Sequence, residues 1–355
     1  MTQPSTRLST RALTRTLWVR QQLVPSRRSV TGVIPVVEHL IGLQAQDNLP
    51  PYLSLTARID DFAPGDLSDR LLDRTLVRFF SMRGTVHVLT PEDALQLRPW
   101  VQPTLDRLTN EESRAGAHLS SEELDAVVRP FLGDDAKPHA DIVRALAEVH
   151  PDVPEVALRH ATRQRLPLLQ TPPRGMWKRS GGVVYALADR WLGRPFTEVH
   201  LPDLVQRYLR AYGPATAADM TKWSSVTRLG PAFTALHRAG ELVSYTDEHG
   251  RTLYDVPDGV IADEDLALAP LMLGTYDNLF LSHADRTRIA PDEARRGWMG
   301  RNGAMAATLF VDGLLCGIWR FDGDHFEVEP FRRLTSSEER GVEAEKDRVR
   351  AFLAS

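Results

Sequence analysis

Apolar residues at helical spacing, followed by two short alternating strands, recur along this chain. The pattern is clearest over residues 203–257, where three amphipathic segments precede the strand pair in "ELVSYTDEHGRTLYDV". Thr216 and Asp219 stand at capping-box spacing, and Gly213 and Gly240 follow the first and third segments, as glycines do at helix ends. Three helices followed by a β-hairpin predict a winged-helix module.

The same order recurs more loosely twice upstream. Over residues 119–187, helical segments precede the strands "LPLLQ" and "VVYAL", which a long turn, "TPPRGMWKRSGG", connects. Over residues 8–90, helical segments precede "VRFFSM" and "TVHVL". The first helical segments are "TRALTRTLWVRQQL" and "GVIPVVEHLIGLQ". The pattern therefore predicts three tandem winged helices that share an architecture without a visible sequence repeat.

The pattern changes after about residue 260. Asp-Gly turns at 312–313 and 322–323 separate alternating apolar strands, which predicts an antiparallel meander, and a charged amphipathic helix ends the chain. We therefore expect an α+β fold with a C-terminal barrel-like module. The expected domains are residues 1–100, 101–197, 198–260 and 261–355.

Composition excludes several classes of protein. No apolar run approaches the roughly 20 residues of a membrane helix, and the basic N-terminus lacks the apolar stretch of a signal peptide. The single cysteine, Cys316, lies in an apolar run and is expected to be a reduced core residue. Walker, dinucleotide-binding and nucleophile-elbow motifs are absent, and no histidines stand at zinc spacing. We predict a cytoplasmic protein without metal or cofactor.

Basic residues are concentrated between residues 163 and 194, a stretch that contains seven of them and a single acidic residue, Asp189. Only four of the 43 basic residues of the chain are lysines, which disfavours Schiff-base chemistry. Trp177 stands beside Lys178 in the predicted hairpin turn. A cationic turn with an exposed aromatic side chain suits a DNA-contacting wing, because the charge binds phosphates and the ring can stack. The alternative is a solvated turn whose tryptophan folds back onto its own module.

Two further polar stretches are ambiguous on their own. In "LSHADRTRI", a serine, a histidine and two arginines follow the turn at residues 276–278, and alone they indicate only a polar loop. Gln44 and Gln46 flank Ala45 before "DNLPP". From spacing alone, these amides are best interpreted as capping groups at the end of a helix or bonds to the chain before Pro50.

Four stretches together resemble a known family. "LIGLQAQD", "SMRGTVHVLTPEDA", "YDNLFLSHADRTRI" and "LFVDGLLCGIWR" occur in this order in the AlkZ/YcaQ superfamily of bacterial winged-helix DNA glycosylases, and the resemblance extends over nearly the full chain. The family fold implies three tandem winged helices in a C shape with a C-terminal β-barrel. Its AlkZ-like branch carries a catalytic Gln-aliphatic-Gln motif, which Gln44-Ala45-Gln46 matches.

The resemblance implies a monofunctional DNA glycosylase that hydrolyses the N-glycosidic bond of cationic N7-alkylated purines in double-stranded DNA, including bulky adducts or interstrand crosslinks. An amide carbonyl can accept a hydrogen bond from water and orient it, and neither glutamine places an anion there. The candidate DNA contacts are Arg83, Thr85, His87, Arg174, Trp177, Lys178, Arg179, Asn278, Ser282, His283, Arg286 and Arg288. We expect a monomer that is associated with the nucleoid when bound to DNA, with no obligate protein partner and no membrane association.

Other functions remain open at this point. A winged-helix protein can be a non-catalytic regulator or a resistance factor that sequesters lesions, since a fold does not determine a function. A scaffold for protein partners would fit the net charge of −4 but leaves the basic turn and the glutamines unexplained. The residues at 83, 85 and 87 can also serve only to build the first wing.

Overall fold

The structure is a computed structural model that describes residues 6–112, 119–298, 306–323 and 325–355. Its α-helices are α1 Thr10–Arg20, α2 Val33–His39, α3 Pro50–Thr56, α4 Pro64–Leu72, α5 Pro91–Glu112, α6 Ser121–Leu132, α7 His139–Val149, α8 Glu155–Arg165, α9 Ala188–Leu192, α10 Leu201–Tyr212, α11 Ala217–Ser224, α12 Gly230–Arg238, α13 Asn278–Leu281, α14 Asp292–Trp298 and α15 Ser336–Ala354. Its strands are β1 Thr6–Leu8, β2 Leu43–Gln44, β3 Val77–Phe80, β4 Val86–Leu89, β5 Lys137–Pro138, β6 Leu168–Gln170, β7 Val184–Leu187, β8 Val243–Asp247, β9 Thr252–Asp255, β10 Leu271–Leu273, β11 Ala307–Val311, β12 Leu314–Phe321 and β13 Phe326–Pro330.

The first two predicted hairpins form a single sheet. Its strand order is β2-β4-β3-β6-β7-β5, and the antiparallel junction between β3 and β6 places Arg78 opposite Gln170. Both faces of β3 and β4 are buried, so this sheet lies within the main apolar core and not on its surface. Each hairpin was predicted from its own alternation, but nothing in that alternation indicates that the two join edge to edge.

The third hairpin, β8 and β9, takes β1 as a parallel neighbour. The first described residues therefore belong to the sheet of the third module, although they were assigned to the first. A buried ion pair attaches helix α1 to the same sheet. The two terminal nitrogens of Arg20, Nη1 and Nη2, donate to the carboxylate of Asp255 in β9 at 2.7 and 2.6 Å. Strand β1 was not predicted, because its three residues are too few to show an alternating pattern.

The helices before that hairpin follow the predicted pattern. The Thr216 hydroxyl accepts from the amide of Asp219, whose carboxylate accepts in return from the Thr216 amide. Leu229, Phe233 and Leu236 are all buried. The predicted capping box and apolar face are therefore confirmed.

The C-terminal strands form the predicted antiparallel meander, in the order β10-β11-β12-β13. Asp312 and Gly313 both have positive φ, 48° and 81°, as a two-residue type I′ turn requires. Within the described residues this sheet is open, so the expected barrel-like closure is not confirmed. Cys316 is buried here, as predicted, and burial raises the pKa of its thiol.

One long helix has no counterpart in the sequence analysis. Helix α5 has 22 residues and contains Pro99 and Pro103, each of which removes a backbone donor and argues against a helix. Its buried residues Leu97, Val101 and Leu105 recur every four positions and hold it against the core. Among the helices of the described ranges, none has both the length and the hydropathy to cross a bilayer.

Candidate active site and DNA-facing surface

Gln44 lies on a strand and not at a helix end. Helix α2 ends at His39, Gly42 turns the chain with a φ of 97°, and Gln44 then pairs with His87 of β4. Gln44 is buried and Gln46, two residues later, is exposed. The capping interpretation is therefore wrong for Gln44, whose side chain bonds another part of the first module.

Arg83 holds the Gln44 side chain. Its Nη2 donates to Gln44 Oε1 at 2.8 Å and lies 3.0 Å from His87 Nε2, and its Nη1 donates to the backbone carbonyl of Trp223. Because a guanidinium can only donate, the Gln44 carbonyl must face Arg83 and the amide nitrogen must face away. Arg83 has a left-handed backbone (φ 57°), which aims its side chain into this cluster.

His87 is a neutral partner in the same cluster. Burial, reinforced by the charge of Arg83, holds the pKa of His87 well below its usual value of 6.5. Its Nδ1 lies 3.1 Å from the Thr85 carbonyl, an acceptor, while Nε2 faces a guanidinium donor. The proton therefore resides on Nδ1. Burial also lowers the pKa of Arg83 to about 10, which leaves it charged at neutral pH.

Gln46 is held much more loosely. Its Oε1 accepts from the Val86 amide at 3.4 Å, a distance at which a hydrogen bond is weak. The side chain is exposed, so its carbonyl can also face water. The two glutamines thus differ: the carbonyl of Gln44 is committed to an arginine, and that of Gln46 is nearly free.

Arg78 supports the backbone between the two glutamines. Its Nη2 donates to the Ala45 carbonyl at 2.7 Å and its Nε donates to Gln170 Oε1 at 3.3 Å. Burial, followed by the charge of Arg174, lowers the pKa of Arg78 to about 10. A Cβ on Gly175, whose φ is 90°, would lie 2.3 Å from the Arg78 side chain. Arg78 was not predicted from the sequence, because in "VRFFSM" it occupies an ordinary strand position.

The basic turn between β6 and β7 carries unpaired cations at its tip. Lys178 and Arg179 are exposed, and within the described part of the chain neither forms an ion pair. Farther along the stretch, Arg190 lies 3.9 Å from Asp134, and Arg194 pairs with Glu92. The positive charge available to a phosphate is therefore at the tip, and Arg174, earlier in the turn, is half-buried.

Trp177 is not the exposed ring that the sequence suggested. Its ring lies 4.9 Å from that of Tyr52 in α3 and 5.1 Å from that of Phe352 in α15. Its backbone amide donates to Ser68 Oγ, and the Tyr52 hydroxyl donates to the Gly175 carbonyl at 2.9 Å. The ring therefore anchors the turn to the first module and the last helix, and does not fold onto its own module.

The loop after β10 places Asn278 against Gly42, at the turn that leads into β2. Asn278 is buried, and its Nδ2 donates to the Gly42 carbonyl at 2.8 Å and to the Tyr212 hydroxyl at 3.0 Å. The preceding residue, Asp277, forms a buried ion pair with Arg58 at 2.8 Å. Asn278 therefore supports the turn that leads into β2, and its predicted contact with DNA does not fit its burial.

Ser282, His283 and Arg288 are also buried. His283 Nε2 lies 3.0 Å from the Tyr212 carbonyl and 3.2 Å from Arg288 Nη1, while Nδ1 lies 3.2 Å from Ser282 Oγ. Burial, and then the charge of Arg288, lower the pKa of His283 to about 3. This cluster attaches the loop to α10, so in this conformation none of the three side chains can reach a DNA surface.

Arg286 and Thr85, two further members of the predicted set, are half-exposed. Arg286 donates from Nε to the Phe280 carbonyl at 2.9 Å and lies over the Phe280 ring, 5.4 Å from its centroid. Thr85 donates from its hydroxyl to the Met82 carbonyl at 3.1 Å. Their remaining surface faces solvent, so DNA contact remains a prediction for both.

Comparisons with known proteins agree with one another. The family model "DNA glycosylase AlkZ-like" matches residues 37–352. A curated relative from Streptomyces sahachiroi, "Interstrand DNA cross-link repair glycosylase", is 25% identical over 345 residues and is matched over 88% of this chain and 89% of its own. The solved structure of the Streptomyces sahachiroi DNA glycosylase AlkZ superposes with a TM-score of 0.77 at 21% identity, over 98% of both chains.

Proposed function

Because this chain belongs to the AlkZ-like DNA glycosylase family, we propose that it hydrolyses the N-glycosidic bond of cationic N7-alkylated purines in double-stranded DNA. The resemblance predicted from four sequence stretches is confirmed, and the protein is an enzyme of the DNA glycosylase class. Its particular substrate and the roles of its residues are our proposal. The name of the crosslink-repair relative supports including bulky adducts and interstrand crosslinks among the substrates.

The proposed substrate lowers the demand on the enzyme. A neutral purine leaves as an anion and needs a general acid, whereas an N7-alkylated purine is already a cation and leaves as a neutral base. Water attacks C1′, the C1′–N9 electron pair passes to the purine, and a proton is released from the attacking water. The products are a free alkylated base and an abasic site.

The contrast between Gln44 and Gln46 supports the proposed mechanism. The exposed carbonyl of Gln46, with only a 3.4 Å bond to Val86, is suited to accept a hydrogen bond from the attacking water. The carbonyl of Gln44 is bound to Arg83, so Gln44 contributes its amide NH2 group as a donor to water or sugar. The two amides, one residue apart, therefore have different hydrogen-bonding roles, and this distinguishes the site from a structural cap.

One carboxylate does lie next to the pair. Asp47 follows Gln46 and is exposed. The motif alone suggested a surface without negative charge, but this carboxylate lies beside the glutamines. An anion at this place would attract the cationic purine and would stabilise positive charge that develops on the sugar.

We assign the DNA backbone to the tip of the basic turn, Lys178 and Arg179, with Arg174, Arg286 and Thr85 as further contacts. Lys178 and Arg179 are supported most directly, because both are exposed and neither forms an ion pair among the described residues. Phosphate contacts of this kind hold the duplex in place without reading its sequence. We interpret the helix–hairpin modules as the predicted winged helices that present this turn.

A duplex with one N7-methylguanine tests this function, with a second duplex that carries a bulky N7 adduct. We expect release of the free base and formation of an alkali-labile abasic site in both. An unmodified duplex serves as the control and should remain intact. Tight binding to the lesion duplexes without base release would contradict the proposal and would favour a non-catalytic protein that sequesters lesions.

A further inference from the structure

The peptide group that leads into Gln46 is held by a buried arginine. Strand β2 ends two residues before Gln46, and the chain then enters neither a strand nor a helix until α3 begins. The Ala45 amide donates to the Val86 carbonyl at 2.7 Å, and the Ala45 carbonyl accepts from Arg78 Nη2 at 2.7 Å. Because a peptide group is planar, holding this carbonyl also holds the nitrogen and Cα of Gln46.

Arg78 reaches that carbonyl from two strands away. It lies on β3, and β4 separates β3 from β2 in the sheet. On the other side of β3, Arg78 is paired with Gln170 at the end of β6, and its Nε donates to Gln170 Oε1 at 3.3 Å. The side chain is only 1% exposed. Arg78 therefore connects the glutamine strand to the strand that leads into the basic turn.

The basic turn also packs directly on Arg78. A Cβ on Gly175 would collide with the Arg78 side chain, 2.8 Å from its Nε. The Gly175 carbonyl accepts from the Tyr52 hydroxyl at 2.9 Å, which attaches this part of the turn to α3. The guanidinium is thus confined between the turn and the glutamine strand. Lys178 and Arg179, which we assign to phosphates, follow Gly175 in the same turn.

Resting on the proposed function, we propose that Arg78 is a positioning residue for the hydrolysis, which fixes the distance between the turn that binds the DNA backbone and the peptide that carries Gln46. The phosphates place the nucleotide and Gln46 orients the water, so attack on C1′ requires a constant distance between the two. A displacement of about 1 Å can lower a rate roughly 10²-fold. Arg78 is buried and acts through the Ala45 carbonyl, without touching the sugar or the water.

Arg98 has similar chemistry in a structural place. It is 2% exposed, and its Nη2 donates to the carbonyls of Gln164 and Leu166 at 2.8 and 3.0 Å, at the end of α8. Carbonyls at a helix end lack partners within the helix, so Arg98 completes that end. Loss of either arginine should lower stability, but only loss of Arg78 should displace Gln46.

Single-turnover excision of N7-methylguanine, measured beside Tm and DNA affinity, tests this role. Arg78→Met should lower the rate per folded molecule roughly 10²-fold, with little change in affinity because the cations of the turn tip remain. Arg78→Lys keeps the charge and can restore only part of the hydrogen bonding, so its rate should lie between the two. Arg98→Met is the matched control, and it should lower Tm without this loss of rate.

The same substitution in a Gln46→Ala background separates positioning from a general structural effect. Arg78→Met should cause little further loss there, because the side chain through which it acts is already gone. An equal fractional loss in both backgrounds would overturn the proposal. A wild-type rate in folded Arg78→Met would do so as well.

Gly175→Ala tests the contact from the other side and decides the matter if Arg78→Met does not fold. The added methyl must displace the Arg78 side chain, so excision should fall, by a smaller factor than in Arg78→Met. Gly240→Ala is its control, since Gly240 also has a positive φ of 78° but a Cβ there meets no atom of the described residues within 4 Å. It should lower Tm and leave the rate unchanged.

The outcomes for the two proposals differ. A wild-type protein that excises no lesion would refute the proposed function and this role with it. An active wild type whose folded Arg78 and Gly175 variants excise at the wild-type rate would refute this role alone.

Discussion

The glutamine strand, residues 43–46, and the loop over residues 276–288 contain similar polar residues but use them differently. Both stretches belong to the motifs from which the family was identified. In the first, Gln46 is exposed with one long hydrogen bond. In the second, Asn278 and His283 are buried and bonded to the backbone of other elements. Under the proposed function, the strand carries the chemistry, and the loop fixes the position of the strand.

This difference changes what a shared motif implies. The contact from Asn278 to the Gly42 carbonyl ends two residues before Gln44, so the loop acts on the site through the backbone that leads to it. Variants in the loop should therefore lower stability, with little effect on the rate of each folded molecule. Variants of the two glutamines should instead lower the rate of each folded molecule, with little effect on stability.

The largest expected effect is a loss of stability when the ion pair between Arg58 and Asp277 of the loop is broken. Arg58→Met leaves the carboxylate of Asp277 buried without its partner, which typically costs about 3–5 kcal/mol. We expect a clearly lower Tm, with excision per folded molecule close to wild type at a permissive temperature. Arg210→Met breaks an exposed pair with Asp258 and should change Tm little. Lost excision at an unchanged Tm would reverse the roles assigned to the two regions.

The pH dependence of stability gives the next largest effect. Because the folded protein lowers the pKa of His283 to about 3, the unfolded chain gains a proton on this residue below its ordinary value of 6.5 while the folded chain does not. The stabilising contribution is complete above pH ~6.5 and is lost as the pH falls towards 3. For this histidine the loss between pH 7.5 and 5.0 is about 2 kcal/mol.

His283→Gln removes that titration, and the glutamine amide offers an N–H to the Tyr212 carbonyl and an oxygen to Arg288. We expect the difference in unfolding free energy between pH 7.5 and 5.0 to be smaller in this variant than in the wild type. His325→Gln alters an exposed histidine and serves as the control. An undiminished acid loss in His283→Gln would mean that this histidine is not held neutral in the folded protein.

The sequence predicted the hairpins and most helices because their apolar spacing is local. It did not predict the junction of β3 with β6 or the placement of β1, which depend on strands far apart in the chain. The glutamine motif could be recognised, but the different environments of Gln44 and Gln46 could not, because Arg83 reaches Gln44 from 39 residues away in sequence. Arg78 gave no signal at all, since its position in a strand is ordinary.

The smallest effect is expected at the basic turn. Replacing both Lys178 and Arg179 with Ala should weaken binding to all duplexes alike and reduce the log–log salt slope by about one to two units, as counterion release predicts. Arg144→Ala with Arg159→Ala also removes two cations, but each is paired with an acid of its own helix, and the slope should not change. Equal slopes for both double variants would remove the turn from the DNA interface.

Single-turnover excision of N7-methylguanine by Gln46→Ala, measured beside its thermal melt and its DNA affinity, tests the central assignment most directly. If Gln46 orients the attacking water, excision should fall roughly 10²-fold while Tm and affinity stay at wild-type values. Gln46→Asp should retain appreciable activity, because a carboxylate also accepts from water, and Gln44→Ala should be impaired. A folded Gln46→Ala protein that excises at the wild-type rate would contradict the account.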